Sequence, residues 1–337
     1  MRSAFRLTAL GIGLGLLVGT GMKMLRPSSL NSLEPGNYFS RSQNYLDLGS
    51  FNPKSEITSL SDRWLAISKD YPDLTASAFM HFLDDQRYAQ LNSEVALPAA
   101  SSIKIAILLS VLQQVDTGQL KWNELLELEE DVIAGGAGWM ALKPIGTVFP
   151  VHDIANEMIR VSDNTATNLL LKRIGGKGFL NEKFISLGLN STEINNLLPD
   201  LSGTNITSAK DLSLTIALVE TGKVLGPRTR DLFREVMSTS VSNRLIPGGL
   251  LKGLNVNDED PDKSLLIRGY RVYNKTGDIG IAYADAALIQ LPDTTRAVAA
   301  FLVKGPFNDP RSSQLIRDMA AAMAPVIKPN PPKAKQL

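Results

Sequence analysis

Residues 265–303 read LLIRGYRVYNKTGDIGIAYADAALIQLPDTTRAVAAFLV. Three β-rich segments, 265–274, 283–290 and 297–303, are separated there by Gly, Pro and Asp, the residues that end strands and make tight turns. A closing helix is expected over 310–326. Working back toward the N-terminus, residues 75–82 and 88–91 read as paired strands around an Asp84-Asp85 turn, preceded by helical spacing over 57–69 in Leu60, Trp64, Leu65 and Ile67. Between these two strand-rich ends the pattern is mostly helical, including 103–115, 151–161, 165–174 and 209–220. Strands from both ends must therefore pair in one sheet. The expected fold is α/β (α+β): an antiparallel sheet flanked by helices, with an inserted all-α subdomain at about 104–225 and a groove between the two parts.

The chain has 337 residues, 44% hydrophobic and 20% charged, enough to bury a sizeable core. Lys plus Arg number 35 against 34 for Asp plus Glu, a formal net charge of +1. That balance lacks the basic surplus a nucleic-acid binder directs at phosphate, so no nucleic-acid partner is expected. There is no Cys, which removes disulfides, thiolate nucleophiles and iron–sulfur ligation. The two histidines, His81 and His152, lie in no ligand-spaced motif. A His-based metal site and a Ser-His-Asp triad both lack material, and no metal or other cofactor is expected.

At the N-terminus Arg2 and Arg6 precede an uncharged run, residues 7–22, closed by Lys23 and Arg26. Its length suits a secretory apolar segment and is marginal for a spanning helix, and no clear small-x-small cleavage site follows. Residues 1–26 are thus a signal or membrane anchor, with the anchor favoured. The expected location is extracytoplasmic, in the periplasm, with attachment to the inner membrane through residues 7–22. Residues 27–55, rich in Ser, Asn, Pro and Gly, read as a flexible linker. Folding then occupies 56–326, and 327–337 form a Pro/Lys-rich tail expected to be disordered.

Three short motifs carry the chemistry. Ser101-Ser102-Ile103-Lys104 opens an apolar run; on a helix, positions three apart share a face, so Lys104 can bring its amine to the Ser101 hydroxyl. Ser162-Asp163-Asn164 falls between two helical segments, and Lys275-Thr276-Gly277 ends a strand. Singly, each has a plain structural explanation: a surface lysine after a helix cap, a capping turn, and a strand end entering a turn. The Gly11 to Gly15 pattern lies in the export segment and makes no dinucleotide site.

In this order, 61 and then 113 residues apart, the three motifs resemble the signature of the serine penicillin-recognising enzymes, and the spacing is similar to that of class A β-lactamases apart from an insertion around 255–263. The resemblance runs from about residue 57 to 326. It implies a β-lactamase/DD-peptidase-like fold, with Ser101 as the acylated nucleophile and Lys104 as its base. Ser162 would relay a proton to the leaving nitrogen, Asn164 would hold the substrate amide, and Lys275 and Thr276 would bind the substrate carboxylate. The backbone N–H groups of Ser101 and Asp278, the latter following Gly277, would form the oxyanion hole. A second cation at Lys275 and removal from water would keep Lys104 partly neutral.

Class A β-lactamases also need a Glu in the omega loop to direct water at the acyl-enzyme. Carried onto this chain, that position falls on Leu198, which cannot polarise water; the nearest carboxylates are Glu193 and Asp200. A class A-like frame with an apolar residue there is similar to the PBP-A type of DD-peptidase. This implies that the chain acts on D-Ala-D-Ala peptidoglycan stem peptides and is acylated by β-lactams. Two alternatives stay open on sequence alone: a β-lactamase using Glu193 or Asp200, and a non-catalytic peptidoglycan-binding module. Trp139, in Gly135-Gly136-Ala137-Gly138-Trp139, is read either as a gate at the groove mouth or as an aromatic packed on a flexible loop.

Overall fold

A computed structural model describes residues 51–328. The expected anchor, most of the expected linker and most of the tail lie outside the described residues. Along the described chain the strands are β1 (Ser55–Glu56), β2 (Thr75–Phe82), β3 (Arg87–Leu91), β4 (Leu97–Pro98), β5 (Leu125–Glu127), β6 (Val148–Pro150), β7 (Ile206–Thr207), β8 (Arg271–Asp278), β9 (Ala282–Gln290) and β10 (Arg296–Lys304). Six of them form one sheet in the order β1-β3-β2-β10-β9-β8. The first and last strand groups meet where β10 runs antiparallel to β2, Ala300 opposite Phe79. The remaining neighbours are also antiparallel except β1, which pairs with β3 in parallel.

Alternation along the strands divides the sheet's two faces. Ala76, Ala78, Met80, Phe82, Ala287, Ile289, Ala299 and Phe301 turn to one side and pack with residues of the Thr58–Lys69, Ile246–Gly253 and Pro310–Ala321 helices. Trp64 fixes that layer: its indole lies edge-on to Phe301 with centroids 5.5 Å apart, and its N–H donates to Met319 O at 2.8 Å. On the opposite face the Ala209–Glu220 helix contacts β2, β9 and β10. Its start is set by Ser208, whose hydroxyl accepts from Asp211 N.

Beyond that helix lies the helical subdomain, centred on the Lys104–Asp116 helix. That helix is apolar on nearly every side and buried on nearly every side, as an element surrounded by others must be. The subdomain is longer than the sequence suggests, because the Pro227–Met237 helix packs on the Lys104–Asp116 and Val151–Arg160 helices. Its Pro at the first helical position and the preceding Gly226 were the readable start signal.

Several local expectations are corrected. Residues 265–267 belong to a helix, Pro261–Ile267, begun by Asp260 accepting from Lys263 N, and the strand starts only at Arg271. The insertion around 255–263 is therefore a loop running into that helix. The closing helix stops at Ala321, and a short helix, Ala324–Ile327, follows. Phe51, ahead of the expected boundary at 56, already packs on the sheet: its ring lies 5.7 Å from Phe79 and 4.9 Å from His81, and Lys54 N donates to Gln86 O. A single aromatic among Ser, Asn and Pro gave no periodic signal. Among the described residues no helix is long and apolar enough to cross a membrane.

Candidate active site

Ser101 lies in a single 3-10 turn, Ala100–Ile103, that feeds directly into the Lys104–Asp116 helix. The spacing expected an α-helical turn here; the tighter 3-10 turn ties the two backbones, the Lys104 backbone N–H donating to the carbonyls of Ser101 and Ser102. The residue before the nucleophile, Ala100, has φ of 46°, a conformation unfavourable for a side chain and held here by packing on both sides. One side is β8: a Cβ built on Gly277 would lie 2.7 Å from Ser101 N and 2.9 Å from both Ser102 N and Ala100 Cβ. Glycine at 277 is thus what lets the Lys275-Thr276-Gly277 strand lie against the nucleophile turn, bringing the Ser101 N–H and the strand end at Asp278 into one neighbourhood.

Lys104 is wholly buried, with relative exposure of 0%. Its ammonium donates to Ser162 O at 2.6 Å, Ser162 Oγ at 3.0 Å and Asn164 Oδ1 at 2.9 Å. These bonds join the first motif to the second, 58 and 60 residues away in sequence. Burial holds the Lys104 amine well below its usual value, the Lys275 charge pushes it further down, and Asp163 partly opposes them. Lys275, also buried, is lowered by desolvation to about 8, with Asp285 acting the other way; its ammonium donates to Thr276 O at 2.7 Å.

Ser162 has φ of 61°, and Asp163 then caps the Asn164–Arg173 helix by accepting from Ala166 N at 2.9 Å. Its second oxygen accepts from Trp139 N at 2.7 Å and Met140 N at 2.8 Å. The middle residue of Ser-Asp-Asn therefore clamps the glycine-rich loop, a role the motif alone did not disclose. Asn164 extends the clamp: its N–H donates to Ala137 O and its carboxamide to Gly135 O at 3.0 Å. An amide nitrogen carries two donors, so one N–H of Asn164 is left for a ligand.

Trp139 is held by several contacts, the setting that the packed-aromatic reading describes. Beside the Asp163 bond, its indole N–H donates to Glu157 Oε2 at 2.6 Å, its ring meets Phe149 edge-on at 6.0 Å, and the Lys143 ammonium lies 5.4 Å over it. Of the glycines before it, Gly138 serves close approach, since a Cβ there would fall 2.1 Å from Asp163 Oδ2 at a φ of 97°, whereas one at Gly135 would meet nothing within 4 Å.

Leu198 is buried (relative exposure 7%), and Asn168, one helical turn beyond Asn164, grips its backbone from both directions. Leu198 N donates to Asn168 Oδ1 at 2.9 Å, and Asn168 Nδ2 donates to Leu198 O at 2.8 Å. The two carboxylates considered as substitutes sit in different settings. Glu193 is exposed, and its backbone bridges to Ile206. Asp200 closes its own loop, accepting from Thr204 Oγ1 at 2.9 Å and Asn205 N at 2.6 Å. That loop is joined to the nucleophile approach by the β4–β7 pair and by Ala99 N donating to Asn205 O. Gly203 packs its tip on Pro98 and Ile279.

The arrangement suits acyl transfer: a hydroxyl, a desolvated amine, a second hydroxyl bonded to that amine and a buried cation on an adjacent strand. Among the described residues no group of three or more His, Asp or Glu is placed to hold a metal ion. Comparison with known proteins gives the same direction. The model of the beta-lactamase enzyme family matches residues 57–327. The beta-lactamase VEB-1 of Pseudomonas aeruginosa is 25% identical over 253 residues, covering 68% of this chain and 78% of that protein. A solved structure of PBP-A is 36% identical with a TM-score of 0.75, covering 82% of this chain and 98% of that one. A leucine-to-glutamate mutant of PBP-A, solved as an acyl-enzyme complex with penicillin G, is 35% identical with the same TM-score and coverage.

Proposed function

The chain belongs to the beta-lactamase enzyme family and is a serine hydrolase or acyltransferase, and from that premise we propose that it works as a DD-peptidase on D-Ala-D-Ala peptidoglycan stems and is trapped by β-lactams as a slowly released acyl-enzyme. The observation that carries this reading is Leu198, an apolar residue whose backbone is clasped by Asn168, on the loop that in class A β-lactamases supplies the water-directing Glu. The penicillin G acyl-enzyme complex of a PBP-A mutant supports the acylation step from a relative.

In this mechanism the Ser101 hydroxyl attacks the carbonyl carbon of the penultimate D-Ala while its proton passes to the neutral Lys104 amine. The N–H groups of Ser101 and Asp278 receive the developing oxyanion. The free N–H of Asn164 holds the substrate amide, and Lys275 with Thr276 takes the terminal carboxylate. Ser162, already bonded to Lys104, hands a proton to the departing D-Ala nitrogen as the C–N bond breaks. The resulting Ser101 ester is then released to water or to an amine acceptor. A β-lactam follows the same first step, but its opened ring stays on the enzyme, leaving an ester that needs activated water to depart.

A soluble fragment beginning near Leu46, incubated with a peptide ending in D-Ala-D-Ala, should release free D-alanine in the wild type and not in Ser101→Ala. Steady nitrocefin turnover without D-alanine release would replace this reading with a β-lactamase; stem-peptide binding with neither reaction would replace it with a binding module. The same reading places the domain outside the cytoplasm on an N-terminal tether, and fractionation of cells expressing the full chain should find it with the inner membrane.

A further inference from the structure

Lys275 and Lys104 are two buried cationic side chains acting on one another, and the burial of like charge is costly unless an anion compensates it. Asp163 acts on Lys104. The ammonium of Lys275 donates to the Thr276 carbonyl, and the carboxylate that acts on it is Asp285. Asp285 sits on β9 opposite Thr276, with relative exposure of 0%. Its strand neighbours Tyr283, Ala287 and Ile289 belong to the apolar layer on the sheet face away from the groove. A carboxylate in that row has no packing reason to be there.

It is hydrogen-bonded on both oxygens, although burial still pushes the carboxyl up to about 7 against those bonds and the Lys275 charge. One oxygen accepts from Ile246 N at 2.9 Å, in the first turn of the Ile246–Gly253 helix, whose positive end favours an anion. Both oxygens face the amide of Asn274, at 2.9 and 3.1 Å. Asn274 immediately precedes Lys275 and also donates to Ser242 O at 2.8 Å, so the same cluster fixes the backbone from which Lys275 projects.

We propose that Asp285 is a positioning residue that supplies the counter-charge and the backbone anchorage for Lys275, so that affinity for the substrate carboxylate is set from the sheet face opposite the groove. It touches no reacting atom and acts through Lys275. The charged groups facing this unit are Lys275 itself, Lys104 beyond it and Asp163 beyond Lys104. With Asp285 neutral, Lys275 gives up its proton at lower pH, and the pull of Lys275 on Lys104 weakens with it.

The inference rests on the acyl-transfer reading, and its test separates the two. Acylation rates for penicillin G and for its methyl ester are measured against pH in wild type and Asp285→Asn. The expected result is a fall of roughly tenfold in the preference for the free carboxylate, as for a weakened charged hydrogen bond, with the alkaline limb of the penicillin G profile moved to lower pH. An unchanged preference and limb overturn the proposal, even if Asp285→Asn melts earlier, because a purely structural role would lower stability alone. If wild type is not acylated by penicillin G, the acyl-transfer reading fails instead. Should Asp285→Asn not fold, reciprocity gives the second measurement. In Lys275→Gln the Asp285 carboxyl, followed by ¹³C resonance, should titrate at higher pH than in wild type; an unmoved midpoint overturns the proposal.

Discussion

Lys104 is held between opposed demands. Three oxygen acceptors within 3.0 Å favour its ammonium, while complete burial and the neighbouring Lys275 favour the free amine. Because its folded value is depressed, the neutral base is available at lower pH than for a solvated lysine, so acylation should rise with pH along the acid limb. It should fall again as Lys275 loses its proton near pH 8. In Lys275→Gln the positive neighbour is gone, Lys104 holds its proton more tightly, and the acid limb should move to higher pH. Affinity for carboxylate-bearing ligands should drop by about 10- to 150-fold, the equivalent of about 1.5–3 kcal/mol for a hydrogen bond to a charged group; rate-against-pH profiles check both. The three motifs were legible as residue types at spacing, because the chemistry needs those side chains. Asp163, Asn168 and Asp285 were not, because their work is defined by partners: Trp139 and Met140 for the first, Leu198 for the second, Asn274 and Ile246 for the third. The one sequence hint was Asp285 itself, a charge in an otherwise apolar strand.

At the scale of elements, the site depends on two backbones meeting where a side chain would not fit. Gly277→Ala forces β8 away from the Ser101 turn, and since displacing an oxyanion donor typically costs at least ~100-fold, acylation should fall by about that factor with the fold retained. Gly138→Ala meets Asp163 Cα at 2.5 Å and carboxylate atoms closer still, in a conformation that a side chain resists. It should destabilise the protein by about 2 kcal/mol or more, seen as a lower denaturant midpoint. The glycine run around Trp139 invited a reading of mobility because sequence shows flexibility and close approach with the same residue. A similar ambiguity misplaced residues 265–267: Leu265, Leu266 and Ile267 suit a strand by composition, but Pro261 and the Asp260 cap commit them to a helix. Strands β2, β9 and β10 were read within a residue or so, since alternation against a two-faced core is a strong local pattern.

Across the whole molecule, the sheet joins strands more than 200 residues apart, and Phe51, the first of the described residues, packs against one of them. Phe51 and Phe79 enclose His81. Burial lowers the imidazole to about 4 from its ordinary 6.5, opposed first by the Gln86 side chain and then by the Asp85 charge. The unfolded chain thus binds the proton first: stability due to neutral His81 is complete above pH 6.5 and is lost as pH falls toward 4. Urea midpoints should show this decline in wild type and lose part of it in His81→Phe. A fragment starting at Ser55 should melt below one starting near Leu46, for it lacks the Phe51 cover.

The most direct test of the account is the pair of rates for one penicillin, acylation and release, in wild type and Leu198→Glu. The account predicts a Ser101 adduct in wild type that persists after fast acylation, and release about 100-fold faster or more when a carboxylate replaces Leu198, in keeping with the usual contribution of a general base. Rapid release by the wild type, or release unchanged in Leu198→Glu, would contradict it.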